Sequence, residues 1–175
     1  MAVTTEPFTA SRVIITSSIS FDLIINRLRR QTNPQNEPVS EPFKPNQPYS
    51  EMSQAEYIQF INTKLGLSGF MYFNELEYGS WTSLLNVGED MRMKRFIIGN
   101  PLVAITMLRH ELRAALAVPV ELLIRELEDG KGTEVVYLRP SDVMRVGKAL
   151  EDEGLRQAAK ELDEKLEALV KEITS

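Results

Sequence analysis

A strand that runs directly into a helix is encoded in Lys94-Arg95-Phe96-Ile97-Ile98-Gly99-Asn100-Pro101. The residues from Arg95 to Ile98 are mostly apolar and β-branched, which is typical of a buried strand. Gly99 allows a sharp bend in a backbone region hostile to β-carbons, Asn100 is a good N-cap, and Pro101 suits the first helical position. The unit therefore predicts a helix N-terminus beside a sheet edge, a geometry that can hold an anion or a carbonyl oxygen.

Strand and helix patterns continue on both sides of this unit. Strands are predicted over residues 12–16, 69–76, 95–98, 119–126 and 133–138, and helices after Ser20, after Ser53, over 101–117 and over 155–173. The turn Glu128-Asp129-Gly130-Lys131-Gly132 is a hairpin signal, with two glycines available for positive φ. We predict one α+β domain over residues 1–175: a mixed five-stranded sheet with an antiparallel hairpin, helices packed on it, and a C-terminal helix.

Residues 33–50 interrupt this alternation. They hold five of the nine prolines and show no periodic apolar face. This composition favours a Pro-rich loop insertion over a Pro-rich recognition ligand.

The C-terminal amphipathic helix, residues 155–173, carries an apolar seam with heptad spacing. The seam consists of Leu155, Ala159, Leu162, Leu166, Leu169 and Ile173. Packing on the domain's own sheet is favoured, and pairing with a second chain in a homodimer is the alternative.

Composition narrows the classes of function. A net charge of −5 without a basic stripe argues against nucleic acid, and no apolar run approaches the ~18 residues of a membrane span. The absence of cysteine excludes disulfides, thiolate catalysis and iron–sulfur clusters, and a single histidine cannot build a transition-metal site from one chain. We therefore predict no metal and no cofactor, and a cytoplasmic location because the N-terminus lacks the features of a secretion signal.

Four motifs in order identify a family resemblance: the Gly99-Asn100-Pro101 turn, the strand led by Pro119, the Asp129-Gly130 turn, and the strand ending in Tyr137 before Pro140. Together they resemble the domain-of-unknown-function-302 family over about residues 12–146. The resemblance implies a compact α+β fold, sometimes dimeric, with no established reaction. The long insertion and the charged final helix resemble fungal rather than bacterial members. Many bacterial members carry an Asp-His-like pair where this chain has Glu77-Tyr78.

Four residues are candidates for acid–base chemistry: Glu75, Glu77, Tyr78 and His110. On a strand, Glu75 and Glu77 point to the same face, and two such carboxylates can act as acid and base if burial moves their pKa values apart. Solvated glutamates at a strand end are the alternative. His110, the only histidine, is either a catalytic imidazole or a structural side chain bonded to a carbonyl or an acid.

The leading hypothesis is a protein that binds a small organic metabolite in a cavity between sheet and helices. The ligand-binding candidates are Gly99, Asn100, Pro101 and Tyr137, with the helix start holding a polar or anionic group of the ligand. One alternative is a cofactor-independent isomerase, cyclase or lyase that uses a glutamate as base and a tyrosine or His110 as donor. The other alternative is an interaction scaffold, which would expose an apolar patch.

Overall fold

The structure is a computed structural model that describes residues 1–33, 51–88, 90–144 and 151–175. The predicted loop insertion therefore lies, except for Asn33, outside the described residues. The strands are β1 (Arg12–Ser17), β2 (Met71–Glu77), β3 (Met93–Gly99), β4 (Val120–Glu126) and β5 (Thr133–Leu138). The helices are α1 (Phe21–Thr32), α2 (Gln54–Lys64), α3 (Gly79–Leu84), α4 (Pro101–Leu108), α5 (Pro140–Met144) and α6 (Glu153–Thr174).

The five strands form one sheet in the order β1-β5-β4-β3-β2. This confirms the α+β class and the five strands, but every pair of neighbours is antiparallel, whereas the sequence predicted a mixed sheet. From β2 to β5, each connection returns the chain along the strand just completed, so no parallel crossover forms. The chain crosses the sheet only between β1 and β2, which lie at opposite edges.

The helix predicted over residues 101–117 is divided in two. After α4, the backbone becomes extended at Glu111, and a 3-10 helix covers Leu112–Leu116. The Glu111 carboxylate accepts a hydrogen bond from the backbone N–H of Arg113 at 2.9 Å and caps this second helix. The apolar residues of the two helices form one periodic pattern in the sequence, which is why a single helix was predicted. The Glu111 side chain nevertheless caps and starts a second helix.

Helices cover one face of the sheet. The whole seam of α6 is buried, with each of its residues at most 3% exposed: Leu155, Ala159, Leu162, Leu166, Leu169 and Ile173. It packs with α1 and the inward side chains of the sheet in one core, which confirms packing on the domain's own sheet. The seam is therefore not available to a second chain.

The opposite face of the sheet is open in the part of the chain that the structure describes. Its central row joins Ile14, Val136, Leu123 and Arg95 across four strands. Ile14 is 56% exposed, and Leu138, farther along β5, is 52% exposed. This face therefore offers apolar surface that the core does not use.

Candidate functional site

A cavity of about 480 Å³ lies at the end of the sheet where β3 meets α4. Its walls come from strands β2 and β3, from α4, from the segment before β4, and from Leu162 of α6. Among the residues that the structure describes, no ionisable side chain lines it, and the polar side chains of the lining are Asn74 and Asn100. The cavity is therefore apolar, and it lies between sheet and helices as the sequence predicted.

The predicted residues Gly99, Asn100 and Pro101 all line this cavity. Both ends of the Asn100 side chain bond within the chain: its oxygen accepts the N–H of Leu102 at 2.8 Å, and one N–H of its nitrogen donates to the carbonyl of Gly69 at 3.0 Å. The next two amides of α4 donate to the Asn100 carbonyl, and Pro101 has no N–H. The backbone amides of Leu102, Val103 and Ala104 are therefore all occupied and offer no donor for the anchoring role predicted at this helix start.

Gly99 is required by packing rather than by its backbone conformation. Its φ is not positive, so the predicted region hostile to β-carbons is wrong. A β-carbon at this position would lie 2.7 Å from Cε2 of Phe73 and 3.1 Å from Cβ of Pro119. The register of β2 shifts between Tyr72 and Asn74, and the intervening Phe73 packs over Gly99 as part of the cavity wall.

Asn74 supplies the free polar group of the cavity. Its side-chain oxygen accepts the backbone N–H of Glu75 at 2.9 Å, which orients the amide. Its side-chain nitrogen makes no hydrogen bond with any residue that the structure describes. Sequence analysis did not select this residue, although an amide directly after the apolar run Phe70-Met71-Tyr72-Phe73 is a signal that the sequence contains.

Glu75 and Glu77 lie on the same face of β2, as predicted, because they stand opposite Phe96 and Lys94. Glu75 is nearly buried and pairs with Arg29 of α1 at 2.9 Å and with Lys94 at 2.7 Å. Burial acts to raise the pKa of Glu75, but the hydrogen bonds from Lys94 and Arg29 outweigh it, so its pKa is lowered. Glu75 therefore lacks the raised pKa that favours a general base near neutral pH.

Glu77 has a local structural role. Its carboxylate accepts the backbone N–H of Ser80 at 3.1 Å and also the Ser80 hydroxyl, in the first turn of α3. The side-chain hydrogen bond from Ser80 is the main reason why the pKa of Glu77 lies below its ordinary value. A carboxylate at a helix start is stabilised in its charged form, which does not favour a proton acceptor.

The other candidates lie in different places. The centroid of the Tyr78 ring lies 5.7 Å from that of the Trp81 ring, and the Tyr78 hydroxyl is near Arg95, whose pKa is raised by Glu121 first and by Tyr78 to a lesser extent. His110 is exposed and its Nδ1 lies 3.1 Å from Asp152, the cap of α6. The four acid–base candidates therefore belong to separate clusters, and none of them lines the 480 Å³ cavity.

Tyr137, the fourth ligand-binding candidate, is 4% exposed and lines a different cavity. Burial raises the pKa of its hydroxyl above the ordinary tyrosine value. It does not meet Gly99, Asn100 and Pro101 in one site, so the structure separates the predicted ligand-binding residues into two cavities.

The fold and these cavities can be set beside known proteins. The family described as "Domain of unknown function DUF302" matches residues 46–173. The chain belongs to this family. The match begins later than the resemblance read from the sequence and includes the final helix. No functionally curated protein matches the chain.

The fold of this DUF302 chain is also similar to a solved structure of an uncharacterized conserved DUF302 protein from Bacillus stearothermophilus. The TM-score is 0.60 at 14% sequence identity, with 93% of this chain and 97% of the other covered. At this identity the similarity concerns the fold alone. Across its described ranges, the DUF302 chain has no helix with the length and apolar character needed to span a membrane.

Proposed function

We propose that this DUF302 domain binds an uncharged, mainly hydrocarbon metabolite in the 480 Å³ cavity, with one carbonyl or hydroxyl oxygen of the ligand accepting from Asn74. The observation that supports this proposal is a described lining without ionisable side chains that includes the Asn74 amide, whose nitrogen makes no hydrogen bond with a described residue. The volume lies within the roughly 300–1,000 Å³ range of small-molecule sites.

The absence of charge in the described lining selects against an anionic ligand. Transfer of a carboxylate or a phosphate into apolar surroundings without a partner is strongly unfavourable. A single oxygen on a neutral ligand needs one donor, and the Asn74 side-chain nitrogen provides it. The proposal therefore replaces the polar or anionic group expected at the Asn100–Pro101 helix start with a neutral acceptor at Asn74.

Of the other sequence predictions, the scaffold alternative has one observation in its favour, the exposed apolar surface on the open face of the sheet. The enzyme alternative needs a base and a donor in one pocket, and the candidate residues form separate clusters. Four points stay predictions: the scaffold alternative, the cytoplasmic location, the resemblance to fungal members of the family, and a homodimer.

The test is an Ala104→Phe variant titrated with neutral ketones, 2-hexanone to 2-decanone. Ala104 is half-buried on α4 and lines the cavity, so the added ring is expected to fill part of it. Methyl NMR of the wild-type protein is expected to show shifts at Ile97, Leu108 and Leu162. In the variant the affinity is expected to fall at least tenfold, which corresponds to about 1.4 kcal/mol.

Ile105→Phe is the matched control. Ile105 is the next residue of α4, is 43% exposed and does not line the cavity, so the same ring there is expected to leave the affinity unchanged. The thermal midpoint of each variant reports whether the fold is intact. If Ala104→Phe unfolds, Ala115→Phe places a ring at an exposed lining position instead. Equal affinities in blocked and control variants, or no cavity shifts with any ketone, would overturn the proposal.

A further inference from the structure

A second cavity, of about 690 Å³, lies against the open face of the sheet. Leu123 and Val136, neighbours across β4 and β5, form its floor, and Leu138 continues it along β5. Leu116 of the 3-10 helix and Met144 of α5 contribute side walls. The body of this cavity is therefore hydrocarbon.

The segment before β1 forms a further wall. Phe8 lines the cavity, and the Glu6 carboxylate pairs with Arg113 at 2.9 Å. This ion pair ties the segment to the 3-10 helix on the other side of the cavity. The apolar floor thus has a partial cover that belongs to the same chain.

The three arginines of this cavity differ in their partners. Arg95 pairs with Glu121, and Arg113 pairs with Glu111 and Glu6. Arg12, at the start of β1, makes no ion pair and no side-chain hydrogen bond with any described residue. Among the described residues that line this cavity, Arg12 is therefore the arginine without an ion-pair partner.

We propose that the 690 Å³ cavity binds an amphipathic monocarboxylate, whose hydrocarbon chain lies on Leu123 and Val136 while its carboxylate pairs with Arg12. A guanidinium presents two parallel N–H donors that match a carboxylate. The nearby carboxylates of Glu6, Glu111 and Glu121 disfavour a ligand with a second negative charge. This site differs in charge from the 480 Å³ cavity and does not depend on the function proposed for it.

The experiment compares decanoate with decanol as probes of the full-length protein, both below their micelle or solubility limits and at constant salt. In the wild-type protein, decanoate is expected to shift the methyl signals of Leu123, Val136 and Met144. Arg12→Gln is expected to weaken decanoate binding at least tenfold, and Arg12→Lys by less, since the charge remains and the paired donors are lost. Decanol binding at these methyl groups is expected to change less than twofold.

Arg109→Gln is the matched control, because Arg109 is an exposed arginine that lines neither cavity. It removes the same charge from the protein and so reports any long-range electrostatic effect. Equal loss of decanoate affinity in Arg12→Gln and Arg109→Gln would overturn the proposal, as would decanoate shifts confined to Ile97 and Leu108. Ala104→Phe is expected to leave decanoate binding unchanged, so failure at one cavity is distinguishable from failure at the other.

Discussion

Gly132→Ala is expected to lower the free energy of unfolding by more than ~3 kcal/mol, or to prevent folding. Gly132 has a φ of 130°, which is essentially restricted to glycine, and a β-carbon there would lie 2.0 Å from the backbone oxygen of Ser17. The atoms that this β-carbon would meet, in Ser17 and Ser18, are all backbone, so no side chain can move to relieve the contact. Because Ser17 pairs with Thr133, the substitution acts directly on the β1–β5 edge.

Gly130→Ala in the same hairpin is the control for this prediction. Gly130 also has a positive φ, 64°, but a β-carbon there would meet no atom within 4 Å. The left-handed backbone conformation alone then disfavours alanine at position 130, and it is expected to lower the free energy of unfolding by about 1 kcal/mol. Chemical denaturation of both variants measures the difference. Equal losses would show that the contact with Ser17 relaxes easily and that only φ matters.

Glu75→Gln is expected to lower the free energy of unfolding by roughly 2 kcal/mol at neutral pH, because it leaves Arg29 and Lys94 without their shared carboxylate. Glu75 is 11% exposed, whereas its two partners are 34% and 25% exposed, so water compensates the freed cations in part. Glu77→Gln is the control, since Glu77 is exposed and bonds only within the first turn of α3. The free energy of unfolding of the Glu77→Gln variant is expected to stay close to that of the wild-type protein.

The same ion pairs predict how the effect of Glu75→Gln depends on pH. The pKa of Glu75 is lower in the folded state than in the unfolded state, so its charge stabilises the fold above the unfolded value, about 4.3. That contribution is lost as the pH falls through the lowered pKa of the folded state. Denaturation curves of wild-type and Glu75→Gln proteins are therefore expected to converge in acid. A stability difference that is constant from pH 7 to pH 2 would contradict the assignment.

Much of the fold could be predicted from local sequence. The strand over residues 133–138 was predicted with the bounds that β5 has, and the hairpin glycines 130 and 132 both have positive φ. The capping box at Ser53 starts α2, and the seam of α6 is buried throughout. These signals need only neighbouring residues, since capping, turn conformation and apolar periodicity act within a few positions of the chain.

Part of the candidate site could also be predicted from the sequence. The strand–turn–helix unit at residues 94–101 was expected to form a ligand site, and Gly99, Asn100 and Pro101 line the apolar cavity. The role expected of Asn100 could not be checked from sequence. Its amide donates to the carbonyl of Gly69, 31 positions earlier, so only the folded chain shows that this donor is occupied.

The amino-acid sequence by itself determined the strands, most of the helices, the hairpin and the apolar seam of this DUF302 chain, because local forces set them. The tertiary structure decided that the sheet is antiparallel throughout, since strand pairing joins segments far apart in the chain. It also decided the chemistry of Glu75, whose pKa is lowered by Arg29 and Lys94, 46 and 19 positions away. The pKa of a side chain and the availability of a hydrogen-bond donor depend on which distant groups the folded chain brings into contact. Local sequence patterns do not predict those contacts.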